Sequence, residues 1–124
     1  CLRKLYGYMT DSFHYLRDDC KAVLPADYTM LAANQIKLFA NFDKMRILEY
    51  LTLNGASCVS DIVAGIESEQ LKVSQNLKRL RDDGFVVCHR EGRYIIYDIT
   101  PGVHKTAIQC IHKRYDSLKN KDDF

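Results

Sequence analysis

The sequence predicts a mainly α domain with a small antiparallel β-hairpin, arranged as a winged helix-turn-helix and working as a dimer. Three observations predict it. From Ser57 to Ile99 the chain sets out a short helix, a turn, and a second helix with polar and basic residues on its outer face. A hairpin with a basic tip follows directly. The last helix then repeats apolar residues at the spacing of a seam between two helices.

Each element follows from local spacing. Residues 2–20 place Leu2, Leu5, Met9, Phe13 and Leu16 at three- and four-residue steps, one apolar stripe along a helix. Pro25 interrupts it. Asp27 is placed to cap a helix from Tyr28 to about Ala40. Asp43 is placed to cap a further helix with Met45, Leu48 and Leu51 on one face, ending at Asn54-Gly55. Ser57 would cap a short helix containing Val59, Ile62 and Val63 and stopping near Gly65. Ser68 would cap the next, Glu69 to Asp83. There Val73, Leu77 and Leu80 share one side, while Leu71, Lys72, Gln75, Lys78 and Arg79 point away. Gly84 stops that helix. Phe85 to His89 reads as a strand, Glu91-Gly92-Arg93 as a tight turn, and Tyr94 to Ile99 as the return strand, broken by Pro101-Gly102. The last helix carries Ile108, Ile111, Tyr115 and Leu118 at steps of three, four and three, which predicts a homodimer seam. The expected division is an N-terminal helical extension at 1–27, the winged domain with its dimerisation helix at 28–118, and a flexible tail at 119–124.

At 124 residues and 47% hydrophobic, the chain is the size of one domain with a real core. No apolar run approaches the ~18 residues that span a bilayer, so the expectation is a cytoplasmic protein without membrane contact. The net charge of +2 is uninformative, but its distribution is not. Lys72, Lys78, Arg79, Arg81, Arg90 and Arg93 face only Asp82, Asp83 and Glu91 across one stretch, with His89 in reserve. Five widely spaced cysteines without a CxxC pair make no secreted disulfide framework. Catalysis is not expected: there is no phosphate loop, no Gly-x-Ser-x-Gly and no His-Glu-x-x-His. Cys88 and His89, adjacent on a strand, point to opposite faces and make no hydrolytic pair.

Three segments also resemble one family. Ala40-Asn41-Phe42-Asp43 followed by Arg46-Ile47-Leu48 resembles the first core helix of ArsR-type repressors. Val73-Ser74-Gln75-Asn76-Leu77, running on to Gly84-Phe85-Val86, is similar to their recognition helix and its exit. Arg90-Glu91-Gly92-Arg93-Tyr94 is similar to their wing. The resemblance covers about residues 30–118. It implies a dimeric winged helix-turn-helix repressor that binds double-stranded operator DNA and leaves it when an inducer arrives, often a metal ion, arsenite or a thiol oxidant.

A helix in the major groove reads base edges through its N-terminal half, where Gln70, Leu71, Lys72 and Gln75 stand. Gln bonds adenine in a two-pronged way, Lys donates to guanine, and Leu71 suits a thymine methyl. The matching family positions more often hold small hydroxylated residues and histidine, which puts a different operator in prospect. Lys78, Arg79, Arg90 and Arg93 are placed for phosphates, and Ser57 and Ser60 offer hydroxyls near a helix start.

The sensing residues stay open. Cys58 occupies a helix start where arsenite- and cadmium-sensing relatives carry Cys-x-Cys, but Ser60 replaces the second thiol. Cys20, with Cys1 as a third, would have to complete a soft-metal or arsenite site, which wants about three thiolates. The favoured alternative is that Cys20 and Cys58 are packed small hydrophobes. His104, Cys110, His112 and Asp116 do not keep the ligand spacing of zinc-sensing relatives, and an ion pair or solvated face is preferred for His112. The first core helix has no cysteine, so a redox switch would need Cys110 to pair with its dimer mate or another thiol. Cys88 reads as structural. Two other functions compete with repression. One is a protein-interaction module using Leu71 and Tyr94 as apolar anchors; the other is a plasmid or virus DNA-segregation adaptor coating repeated sites.

Overall fold

Three- and four-residue apolar spacing gives way to two-residue alternation after Gly84, and the fold follows that change. The computed structural model describes residues 23–120, and the chain divides into two compact units at 1–34 and 35–124. The expected stripe of Leu2, Leu5, Met9, Phe13 and Leu16, the thiols of Cys1 and Cys20, and the end of the tail lie outside the described residues. Among those described are five helices and three strands: α1 (Ala26–Phe39), α2 (Phe42–Asn54), β1 (Ser57–Cys58), α3 (Val59–Ile66), α4 (Gln70–Asp82), β2 (Val86–Glu91), β3 (Tyr94–Ile99) and α5 (Val103–Asn120).

Helix ends fall within a residue or two of expectation, with different residues at some caps. Asp27 lies inside the first turn of α1, its carboxylate accepting from the Tyr28 N–H at 2.9 Å. Asn41, not Asp43, caps α2: its backbone is extended and its side-chain oxygen accepts from the Lys44 N–H at 3.1 Å. Gly55 closes α2 with φ +80, a conformation that a side chain resists. Ser57 caps nothing. It belongs to β1, and its hydroxyl donates to the Gly55 carbonyl at 2.9 Å. Helix α3 passes through Gly65 and ends at Glu67, whose φ is +52. Gly65 serves packing, because the Tyr50 ring of α2 lies where any Cβ would stand. Glu69 precedes α4 in extended conformation without a side-chain cap, so Ser68 does not fill that role. Gly84, φ +86, ends α4 as expected, and the Phe85 N–H closes back on the Leu80 carbonyl at 2.9 Å.

The sheet is antiparallel in the order β1-β3-β2, one strand more than the hairpin read from the sequence. Glu91 pairs with Tyr94, leaving Gly92-Arg93 as a two-residue turn, with Gly92 at φ +64. Ser57 pairs with Tyr97 and Cys58 with Ile96, so β1 ties the start of α3 to the root of the wing.

One core joins these layers. Ile47, Leu48 and Leu51 of α2, Ile62 of α3, and Val73, Leu77 and Leu80 of α4 meet Phe85, Val86, Tyr97 and Ile99 beneath the sheet. Ile108 of α5 joins them, fully buried within a single protomer. It therefore fills the core and leaves the expected dimer seam. Ile111 and Tyr115 remain on the exposed side, and Leu118 is half-buried.

His104, on the first turn of α5, is buried between Phe39 and Phe85, with ring centroids 6.1 and 4.8 Å away. The Thr100 hydroxyl donates to the Gly84 and Phe85 carbonyls and holds His104 Nε2 at 3.1 Å. Burial pushes the imidazole pKa below its ordinary 6.5, and the Thr100 and Phe85 contacts offset this only in part. The folded chain thus prefers the neutral ring more strongly than the unfolded chain does. Stability should be full above pH 6.5, fall as pH drops through that value, and level off once the folded group has also charged. Urea midpoints followed across this range should show the fall in the native chain and a shallower one in His104→Gln.

Candidate nucleic-acid interface

Helix α4 carries the site because its two faces are chemically opposed. Val73, Leu77 and Leu80 are buried. At about 100° per residue, the line opposite them runs through Leu71, Gln75 and Lys78. All three are exposed, Leu71 to 68%. Lys72 and Arg79 lie on one flank of that line, and Gln70 and Arg81 on the other.

The two flanks meet different neighbours. Lys72 turns toward α2, its ammonium 3.3 Å from the Asp43 carboxylate. The sequence placed Lys72 in the base-reading set; here its side chain is 52% exposed and rests on Asp43. On the other flank Arg81 is engaged by the Cys88 sulfur, which holds its guanidinium pKa above the ordinary value, and it also lies 3.5 Å from Asp82.

The wing supplies a second group of cations. Arg90 and Arg93 are exposed at the hairpin end, with Arg90 donating to the Gly92 carbonyl at 3.3 Å. Strand alternation sets Val87, His89 and Glu91 on the opposite face, where His89 donates to Glu91 at 2.9 Å. Ser60 is exposed beside Cys58, with 3.3 Å between its hydroxyl oxygen and the Cys58 sulfur. Ser57 is 7% exposed and its hydroxyl is spent on Gly55, so it is removed from the set of phosphate contacts.

Asp43, the partner of Lys72, was given only a capping role by the sequence. Its position suited a helix cap, and nothing local links it to Lys72 in the next helix but one. The available signal was its charge: it stands in the first turn of α2, beside a region otherwise rich in cations.

Among the described residues the thiols do not come together. Among the described residues no group of three His, Cys, Asp or Glu side chains could hold a metal ion. Cys58 and Cys88 are half-buried and Cys110 is exposed, none bonded to another. Cys58 has a hydroxyl beside it where soft-metal chemistry wants a second sulfur. Cys20 lies outside the described residues. His112 makes the kind of contact anticipated for it, but with Glu49 of α2 at 2.9 Å and not with Asp116. Among the described residues no helix is long and apolar enough to cross a membrane.

Comparison with known proteins points the same way. No protein-family profile matches the chain. It is 31% identical over 80 residues to the transcriptional activator HlyU of Vibrio cholerae, spanning 64% of this chain and 73% of that one. The solved HlyU structure overlays with a TM-score of 0.65, over 73% of this chain and 98% of its own. The arsenical resistance operon repressor of Escherichia coli is 24% identical over 92 residues, 74% of this chain and 79% of the repressor. The antimony-specific repressor AntR shares the fold, with a TM-score of 0.70 at 23% identity over 84% of this chain and 93% of its own.

Proposed function

The chain belongs to the ArsR family of winged helix-turn-helix transcriptional regulators, and from that premise we propose that it represses transcription as a homodimer, with α4 in the major groove and the wing on the flanking backbone. It is a DNA-binding regulator, and its relatives are regulators and not enzymes. One observation carries the finer reading: the outward line of α4 is exposed and, Leu71 apart, bears polar and basic side chains, while its inward line is locked in the core.

In this reading Gln75, with Gln70 and Leu71 ahead of it, meets base edges. Lys78, Arg79, Arg90 and Arg93 meet phosphates, and Ser60 offers a hydroxyl beside them. Ile111, Tyr115 and Leu118 of α5 form the dimer seam. The proposed place of work is the cytoplasm, and release by a small inducer completes the repressor logic. The described residues bring Cys58 no second sulfur, so no sensing step is assigned to a metal or to arsenite.

Selection of bound duplexes from a random pool tests this reading. Gln75→Ala should cost about 1–3 kcal/mol on the selected site and blur preference at one base position. Uniform weakening on all sequences would remove Gln75 from base reading. Arg93→Ala should leave sequence preference intact and flatten the dependence of log K on log salt by about 0.9 per protomer. The competing reading uses Leu71 and Tyr94, both more than half exposed, as anchors for a protein partner. It predicts binding that scarcely responds to salt, whereas phosphate contact predicts a steep loss.

A further inference from the structure

We propose that Asp43 is a specificity-determining residue that withholds Lys72 from the DNA backbone. The inference rests on α4 being the DNA-facing helix. Lys72 stands in the first turn of α4, on the flank next to α2. A groove cation there has phosphates as its natural partners. Its ammonium instead lies 3.3 Å from the carboxylate of Asp43, in the first turn of α2. The pair stands in the wall of a cavity of about 360 Å³ whose lining also includes Phe42, Arg46, Ile66 and Glu67. The pair is half-open to solvent, at 52% and 33% exposure, so Lys72 is restrained but not trapped.

Among the described residues no second side-chain cation is paired with Asp43. Arg46, the other cation lining the cavity, is held by Glu49 at 3.1 Å. If Lys72 moved to a phosphate, it would leave a bare carboxylate close to a polyanion. The charge gained at the phosphate is thereby offset by the charge exposed behind it. With Asp43 in place, Lys72 adds little to sequence-independent binding, and discrimination is left to Gln75 and its neighbours. Removing the carboxylate frees one phosphate contact per protomer.

The test is a double-mutant cycle on a random-sequence duplex, read as the slope of log K against log salt. Asp43→Asn should steepen the slope by about 0.9 per protomer and tighten binding at low salt, about threefold per protomer over a fourfold salt change. Lys72→Ala alone bares the same carboxylate and should weaken binding somewhat, but it should leave the slope close to that of the native chain because no phosphate contact is lost. In the Asp43→Asn background, Lys72→Ala should take the whole gain back. Asp43→Glu, which keeps the charge, should restore native behaviour, and melting curves confirm that each variant is folded. If Lys72→Ala flattens the slope equally in both backgrounds, Asp43 withholds nothing and the inference is overturned. Lys78→Ala separates the two levels. A flattened slope there without coupling between Asp43 and Lys72 overturns only this inference. No response from either Lys78→Ala or Asp43→Asn removes α4 from the DNA and takes the underlying reading with it.

Discussion

Ile108→Ala is expected to lower protomer stability by about 2–5 kcal/mol, the range for truncating a fully buried aliphatic side chain that leaves a cavity. Ile108 has no exposed surface in the single chain, where it closes the core beneath α5. The loss should appear as a lower urea midpoint by circular dichroism, with the slope of the transition unchanged. Ile111→Ala, one turn along and 47% exposed, should behave oppositely. Its midpoint under conditions that hold the chain monomeric should scarcely move, while sedimentation should show weaker self-association. Native-like stability in Ile108→Ala, together with dissociation of the dimer, would return Ile108 to the seam.

The sequence could not separate those two isoleucines, and the reason is physical. A helix that packs on its own core along one stripe and presents a second stripe to a partner carries apolar residues at overlapping three- and four-residue steps. Periodicity finds the apolar arc but not its division. The same limit hid the Asp43–Lys72 pair, since each residue was read within its own helix and the contact exists only once α2 and α4 pack together.

What was legible is what local chemistry decides. Gly84 stops α4 because a left-handed residue is needed there, and Asn54-Gly55 ends α2 for the same reason. The inner and outer faces of α4 follow from spacing alone. The wing follows from alternation around a two-residue turn. β1 was invisible because two residues have no period, and their strand character comes from Tyr97 and Ile96, some forty positions away. The N-cap of α2 was misplaced by two residues because Asn41 and Asp43 both belong to the capping class, and only the extended backbone at Asn41 distinguishes them.

Leu77→Ala should abolish DNA binding at ordinary temperature without removing any atom that reaches DNA. Leu77 lies at the centre of the buried line of α4, fully enclosed between Val73 and Leu80. Truncation should cost about 2–5 kcal/mol, a large share of the stability of a domain this size. The cavity opens directly beneath the reading face, so α4 loses its seat before the rest of the core dissolves. The expected signature has two parts: a urea midpoint well below that of the native chain, and binding that returns when a stabilising osmolyte repopulates the folded state. Gln75→Ala should show the reverse pattern, with native stability and weakened, less selective binding that no osmolyte restores. If Leu77→Ala keeps native stability, or if osmolyte rescues Gln75→Ala and not Leu77→Ala, then the two faces of α4 are interchanged and the groove lies on the other side.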